Sequence, residues 1–217
     1  MPQCPYDVRQ RTALPPTSGL EPEDAKEELR RAIRTVREAR SERLRREAAE
    51  ALADVVETIP EIQDARCVAV YAARATEPGT TPLMDRLAAR DVRVLLPVLG
   101  TGLQRNWAEY AGRDDLRVRA PGRPPEPGTP ELPAEAVGDA DVVVVPALAV
   151  DTTGMRLGQG GGWYDRVLQH TRSDARVVAV VFPDEVYDAA ERPLPSESHD
   201  QRVQAVATPA GWRELGV

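Results

Sequence analysis

The chain has 217 residues and a mass of 23.7 kDa, the size of one ordinary domain with room for a tail. Apolar residues make up 41% and charged residues 29%, enough to bury a core and unlike a generally disordered chain. Basic residues number 28 against 35 acidic ones, and the resulting net charge of −7 argues against nonspecific partnership with nucleic acid or an anionic membrane.

Residues 1–20 are rich in Pro, Ser, Thr and Gly, show no period and lack the apolar core of a secretion signal. They read as a loose N-terminal tail, and residues 21–217 as one α/β domain. Glu21-Pro22-Glu23-Asp24 then opens a helix, because proline suits the first turn and acids suit its positive end. Leu29, Ile33 and Val36 follow at helical spacing. Ser41 is placed to cap a second helix with the stripe Leu44, Ala48, Leu52, Val55, Val56 and Ile59, ended by Pro60. The arginines and glutamates between these apolar positions read as a solvated face. Lys26 is the one lysine in the chain.

From Cys67 the pattern changes to strands alternating with helices. Cys67 to Tyr71 reads as a strand, and Thr80 or Thr81 caps a helix carrying Leu83, Met84, Leu87 and Ala88. Val92 to Leu96 is a second strand closed by Pro97, and Leu103 to Tyr110 a hairpin partner. Residues 120–134 are proline-dense and read as a surface loop. Val142 to Val145 has the continuous β-branched character of a strand buried on both faces. A glycine-rich loop at 158–162 leads into a helix over Trp163–His170. Val177 to Phe182 is a further buried strand, Pro183 to Asp200 a long loop, and Val203 to Val206 a short last strand. This order predicts an α/β fold with a largely parallel sheet, covered by the two N-terminal helices. No apolar run reaches the roughly 18 residues of a membrane span. The two cysteines, Cys4 and Cys67, are too few for a disulfide framework, so the expected location is cytoplasmic.

The most informative stretch is Pro146–Asp165, PALAVDTTGMRLGQGGGWYD. It leaves the end of a buried strand, where open α/β sheets bind ligands. Its glycines let backbone N–H groups approach an anion, and they precede a helix start. Arg156 is suited to pair with phosphate, and Asp165 to hold Mg²⁺ against nucleotide phosphates. The dinucleotide fingerprint fails because Trp163 stands at its third glycine, and the Gly-Lys-Ser/Thr of a P-loop is absent. On chemistry alone, phosphate binding competes with a glycine turn that only packs a helix closely on a strand.

The same stretch resembles the 5-formyltetrahydrofolate cyclo-ligase (5,10-methenyltetrahydrofolate synthetase) family, whose pattern R-L-G-R-G-G-G-Y-Y-D is met here as Arg156-Leu157-Gly158-Gln159-Gly160-Gly161-Gly162-Trp163-Tyr164-Asp165. Further landmarks follow the family's order. Lys26 to Arg30 resembles K-x-x-L-R, and Tyr71, Glu77 and Thr80 resemble Y then E-x-x-T. Leu96-Pro97-Val98, Glu126-Pro127 and the Pro195–Asp200 stretch complete the series over about residues 22–209. The resemblance implies a three-layer α/β/α fold and ATP-dependent cyclisation of 5-formyltetrahydrofolate to 5,10-methenyltetrahydrofolate, with Mg²⁺ as cofactor; a monomer is the expected state. It implies catalytic roles for Glu77 and Arg156. ATP would be bound by Lys26, Arg30, Arg156, Leu157, Gly158, Gln159, Gly160, Gly161, Gly162, Trp163 and Tyr164. Folate would meet Glu77, Trp107 and Trp163, and the metal Asp165 and Asp200. Two residues depart from the pattern: Gln159 for arginine, which removes a positive charge, and Trp163 for tyrosine. Gln159 keeps open a non-catalytic relative that binds folate or nucleotide.

Overall fold

The computed structural model describes residues 15–99, 105–197 and 199–216. Most of the expected tail therefore lies outside the described residues, as does Leu103 at the start of the expected hairpin strand. Helix α1 runs Pro22–Glu38, with Glu21 at its N-cap, proline in its first turn and acids Glu23 and Asp24 behind it. Helix α2 runs Glu42–Val56, and the Ser41 hydroxyl accepts the Leu44 N–H at 3.3 Å. It stops at Val56, and Pro60 starts a short helix of its own, α3 (Pro60–Gln63), which sinks Ile59 and Ile62 into the core. Strand β1 (Cys67–Ala69), helix α4 (Thr81–Ala89), strand β2 (Arg93–Val98) and strand β3 (Asn106–Glu109) come next. They are followed by β4 (Val142–Pro146), β5 (Ala149–Asp151), β6 (Arg156–Leu157) and α5 (Trp163–Val167). The chain closes with β7 (Arg176–Val180), β8 (Val186–Tyr187), β9 (Ala205–Thr208) and β10 (Gly211–Glu214).

The main sheet has the order β10-β9-β7-β4-β1-β2-β3, parallel from β9 to β2 with an antiparallel strand at each edge. Alternation along β4 divides the core. Val142 and Val144 pack with Leu52, Val56 and Leu83 on one face, while Val143 and Val145 pack with Val137, Val167 and Leu168 on the other. All four valines are fully buried, which is the three-layer α/β/α arrangement expected. From the adjacent pair β1 and β4 the chain departs in opposite directions, to β2 and β3 on one side and to β7 and β9 on the other. Their carboxyl ends therefore open a crevice at the switch point.

Several expectations are corrected. Only α2 of the two long N-terminal helices covers the main sheet. Helix α1 lays Leu29 and Ile33 on Leu148, Ala149, Met155 and Leu157, which belong to or adjoin a second sheet ordered β6-β5-β8. These strands have two or three residues each, too short for a period to show in the sequence. Val36 and Leu44, placed on apolar stripes, are exposed, and Arg37, placed on a solvated face, is buried. Pro97 lies within β2 rather than closing it. Opposite it, Trp107 turns its N–H to the Leu132 carbonyl at 2.9 Å. The proline-dense segment returns to the sheet edge, where buried Glu126 accepts the Leu99 N–H at 3.0 Å. The last strand lies two residues later than expected and is paired by the unforeseen β10.

Candidate active site

A cavity of about 440 Å³ occupies the crevice at the carboxyl ends of β1, β2 and β4, floored by Tyr71, Ala72, Pro97 and Pro146. Three walls bring most of the charged groups: the first turns of α1, the loop from Arg156 to Arg166, and the segment carrying Glu197 and Asp200.

Lys26 is 6% exposed, and its ammonium donates to Glu197 Oε2 at 2.7 Å and to Asp200 Oδ2 at 2.8 Å. Burial pulls the Lys26 pKa down, but the bonds to Asp200 and Glu197 outweigh it and leave the value raised. On Asp200, burial pushes upward, yet Lys26 and the Glu197 N–H hold the carboxyl below the usual carboxylate range. One turn along, buried Arg30 donates from Nε to the Gly158 carbonyl at 3.2 Å and from Nη1 to Glu23 at 2.7 Å. Arg156 donates from Nη2 to Asp165 Oδ1 at 2.6 Å, and its Nε is buried without a hydrogen-bond partner. A cationic cluster thus converges on the glycine loop, with each member held on a carboxylate.

The glycines are needed for two distinct reasons. A Cβ on Gly158 would meet Arg156 Nη1 at 3.0 Å, and Gly160 holds φ +101°, a conformation costly for any L side chain. Leu157, Gly161, Gly162, Trp163 and Tyr164 also line the cavity. The helix after the loop is shorter than expected: α5 has five residues and passes into a 3-10 turn at Leu168–His170. Attraction for an anion therefore rests on Lys26, Arg30 and Arg156 rather than on a helix dipole.

Glu77 enters from the loop after β1. The Tyr71 hydroxyl donates to the Pro78 carbonyl at 2.7 Å, and the Thr80 hydroxyl donates to the Tyr71 carbonyl at 2.6 Å. Thr80 thus closes this loop instead of capping α4 with its side chain. Glu77 is 6% exposed and accepts the Arg74 N–H on Oε2 at 2.8 Å and Gln159 Nε2 on Oε1 at 2.9 Å. Trp163 lines the cavity and packs edge-on against Trp107 at 5.2 Å and Tyr164 at 4.8 Å. Trp107 differs from its expected place. It is fully buried, does not line the cavity, and serves as the core support beneath Trp163.

Asp165 and Asp200 lie on adjoining segments, since the Gln201 N–H reaches Asp165 Oδ1 at 3.3 Å. Among the described residues no group of three His, Cys, Asp or Glu side chains forms a metal centre. Also among the described residues, no helix is long and apolar enough to cross a membrane. Sequence reading passed over Glu197, although it stands inside the Pro195–Asp200 landmark, and Arg34, although it follows Arg30 by one turn. Arg105 and Arg123 also line the cavity, from segments that read as hairpin and loop.

The sequence pattern of the 5-formyltetrahydrofolate cyclo-ligase family matches residues 22–209. The chain belongs to this family. Among its relatives, the 5-formyltetrahydrofolate cyclo-ligase of Mycolicibacterium smegmatis is 40% identical over 190 residues, 85% of this chain and 94% of the relative. That of Escherichia coli K12 is 30% identical over 181 residues, 82% of this chain and 97% of the relative. The NMR structure of Aquifex aeolicus 5,10-methenyltetrahydrofolate synthetase superposes with a TM-score of 0.72 at 29% identity, covering 88% of this chain and 92% of that one. The synthetase structure from Mycoplasma pneumoniae, at 16% identity and a TM-score of 0.64, supports the fold alone. Within the cyclo-ligase family pattern, the matched span takes in all three cavity walls, from Lys26 to Asp200.

Proposed function

We propose that this chain catalyses the ATP-dependent cyclisation of 5-formyltetrahydrofolate to 5,10-methenyltetrahydrofolate, releasing ADP and phosphate. The observation that carries the reading is the convergence of Lys26, Arg30 and Arg156 on the glycine loop, in one cavity with Glu77 and Trp163. A formamide oxygen is a poor leaving group. In the proposed reaction it attacks the γ-phosphorus, the bond to ADP breaks, and ADP departs with the electron pair. N10 then attacks the activated carbon, the carbon–oxygen bond breaks to release phosphate, and the N10 proton passes to solvent. Such a sequence needs positioning and charge neutralisation more than a strong base.

In this reading Lys26, Arg30 and Arg156 exchange their carboxylate partners for phosphate oxygens as the nucleotide enters. Glu77 faces the folate end, where its negative charge favours the cation that develops as the ring closes. Trp163 offers a flat surface to the pterin. Asp165 and Asp200 would hold Mg²⁺, which adds neutralising charge on the phosphates when bound. They fit that task, because Mg²⁺ asks for only one or two carboxylates and takes its remaining oxygens from phosphate and water.

The test is purified, folded protein with 5-formyltetrahydrofolate and Mg-ATP. An ATP-dependent rise of near-UV absorbance from the methenyl product is expected. A folded protein that binds the folate without that rise would instead be a non-catalytic relative. Within the reaction, Lys26→Ala is expected to raise the KM for ATP by about tenfold, the loss of one charge-assisted contact, and to leave the KM for folate within about twofold. An unchanged KM for ATP would remove Lys26 from the phosphate site.

A further inference from the structure

Gln159 stands in the middle of the glycine loop, and its side chain reaches across the cavity to Glu77. Its Nε2 donates to Glu77 Oε1 at 2.9 Å. Its backbone carbonyl accepts from Arg34 Nη2 at 3.0 Å, and its Oε1 lies 3.4 Å from the same nitrogen. The amide is therefore oriented at both ends, with its oxygen toward a guanidinium and its nitrogen toward a carboxylate. Glu77 in turn is buried, and its second oxygen is held by the Arg74 N–H at 2.8 Å. One backbone bond leaves a carboxylate free to rotate about its terminal torsion, and the second bond fixes its plane. Among the described residues Glu77 makes no ion pair, so these two neutral donors are what hold it.

Resting on the cyclisation reading, we propose that Gln159 is the positioning residue for Glu77. It is a determinant of the folate side of the cavity carried on the nucleotide loop, and not a ligand of phosphate. The neutral donor is the significant property. An amide orients the carboxylate without adding a charge of its own, so the Glu77 charge is left to act on the reacting end of the folate. Arg34 completes the chain of contacts from α1, because it fixes the loop backbone at the residue whose side chain reaches Glu77.

Calorimetry on the whole protein separates the two ligands. Gln159→Ala is expected to weaken binding of 5-formyltetrahydrofolate about tenfold, the loss of one hydrogen bond to a buried carboxylate, and to leave Mg-ATP binding within about twofold. Gln159→Glu sets a second carboxylate against Glu77. The two carboxylates repel each other, with Arg34 offsetting part of the added charge, and uptake of one proton between them restores the bond, so folate binding by this variant is expected to strengthen as pH falls from about 8 to about 5.5 relative to the wild type. Weakened Mg-ATP binding with unchanged folate binding in Gln159→Ala would overturn the proposal, and so would no change in either. Should the alanine variant fail to fold, the pH dependence of Gln159→Glu decides the matter, and a flat profile counts against the proposal. Weaker folate binding by Gln159→Ala than by the wild type, with no turnover by the wild type, would sink the cyclisation reading while supporting the role of Gln159. Wild-type protein that binds neither ligand would sink both.

Discussion

The three cations proposed to meet phosphate are each held by an acid of the chain: Lys26 by Asp200 and Glu197, Arg30 by Glu23, Arg156 by Asp165. Unpaired, these buried charges would cost several kcal/mol each, and the carboxylates offset that cost. The Lys26–Asp200 pair carries a pH signature. The Asp200 value is lowered in the folded chain from an ordinary 3.8, so its contribution is fully present above about pH 4 and is lost as pH falls through the lowered value. Thermal melts between about pH 5 and about pH 2 are expected to show a smaller loss of Tm for Asp200→Asn than for the wild type. An identical acid limb would show that the pair contributes nothing to folding. Trp107 supplies a second case at this scale. As a fully buried support it is expected to cost about 3–5 kcal/mol when cut to alanine, read by urea unfolding. If it met the pterin directly, Trp107→Ala would instead weaken folate binding at little cost in stability.

Helix α1 reaches the cavity because its far end is fastened. Arg37 donates to both oxygens of Glu185 at 2.7 and 2.6 Å and to the Ala147 carbonyl at 2.7 Å, with both side chains almost fully buried. Glu185 also accepts the Phe182 N–H, and Arg40 packs over the Phe182 ring at 4.0 Å. This joint ties α1 to the segments leaving β4 and β7, two turns from Arg30, and so sets where Lys26 and Arg30 point. Removing one partner leaves the other charge buried. Glu185→Ala is therefore expected to destabilise the protein by about 3–5 kcal/mol in urea unfolding. The exposed pair Arg43–Glu47 on α2 is the control, and Glu47→Ala is expected to leave the unfolding midpoint unchanged. The joint was not legible in the sequence. Arg37 falls among arginines and glutamates that share one helical pattern, and nothing local distinguishes the one that a distant glutamate buries.

Across the whole molecule, an acidic chain of net charge −7 gathers Lys26, Arg30, Arg34 and Arg156 around one loop between α1 and the sheet. The carboxylates that neutralise this cluster come from α1, α5 and the segment before β9, so the proposed entry of nucleotide would rearrange contacts among elements far apart in sequence. Ligands that bind the folded chain alone stabilise it. At about 100 times its Kd a ligand adds about 2.7 kcal/mol, or about 5–10 °C in Tm for a domain of this size. Mg-ATP and 5-formyltetrahydrofolate are each expected to raise Tm in a scanning melt, and together to raise it further. No shift with either would argue that the cavity takes neither.

The α/β class, the main strands β1, β2, β4 and β7, and the glycine loop were readable from the sequence, because each rests on local chemistry. Runs of β-branched residues bury on both faces, glycines admit close backbone approach, and Ser41 caps the helix that begins at Glu42. Short motifs in order also mark Lys26, Glu77, Arg156 and Asp200 as one set, and all four line one cavity. Tertiary structure decided what depends on partners remote in the chain. It seated α1 on a small sheet whose strands are too short to show a period, and it turned Trp107 into the core. It also closed Lys26 on Glu197 and Asp200, more than 170 residues away, and turned Gln159 toward Glu77, 82 residues away. Local propensity governs a few turns of chain, whereas burial and charge pairing are settled only when distant segments meet.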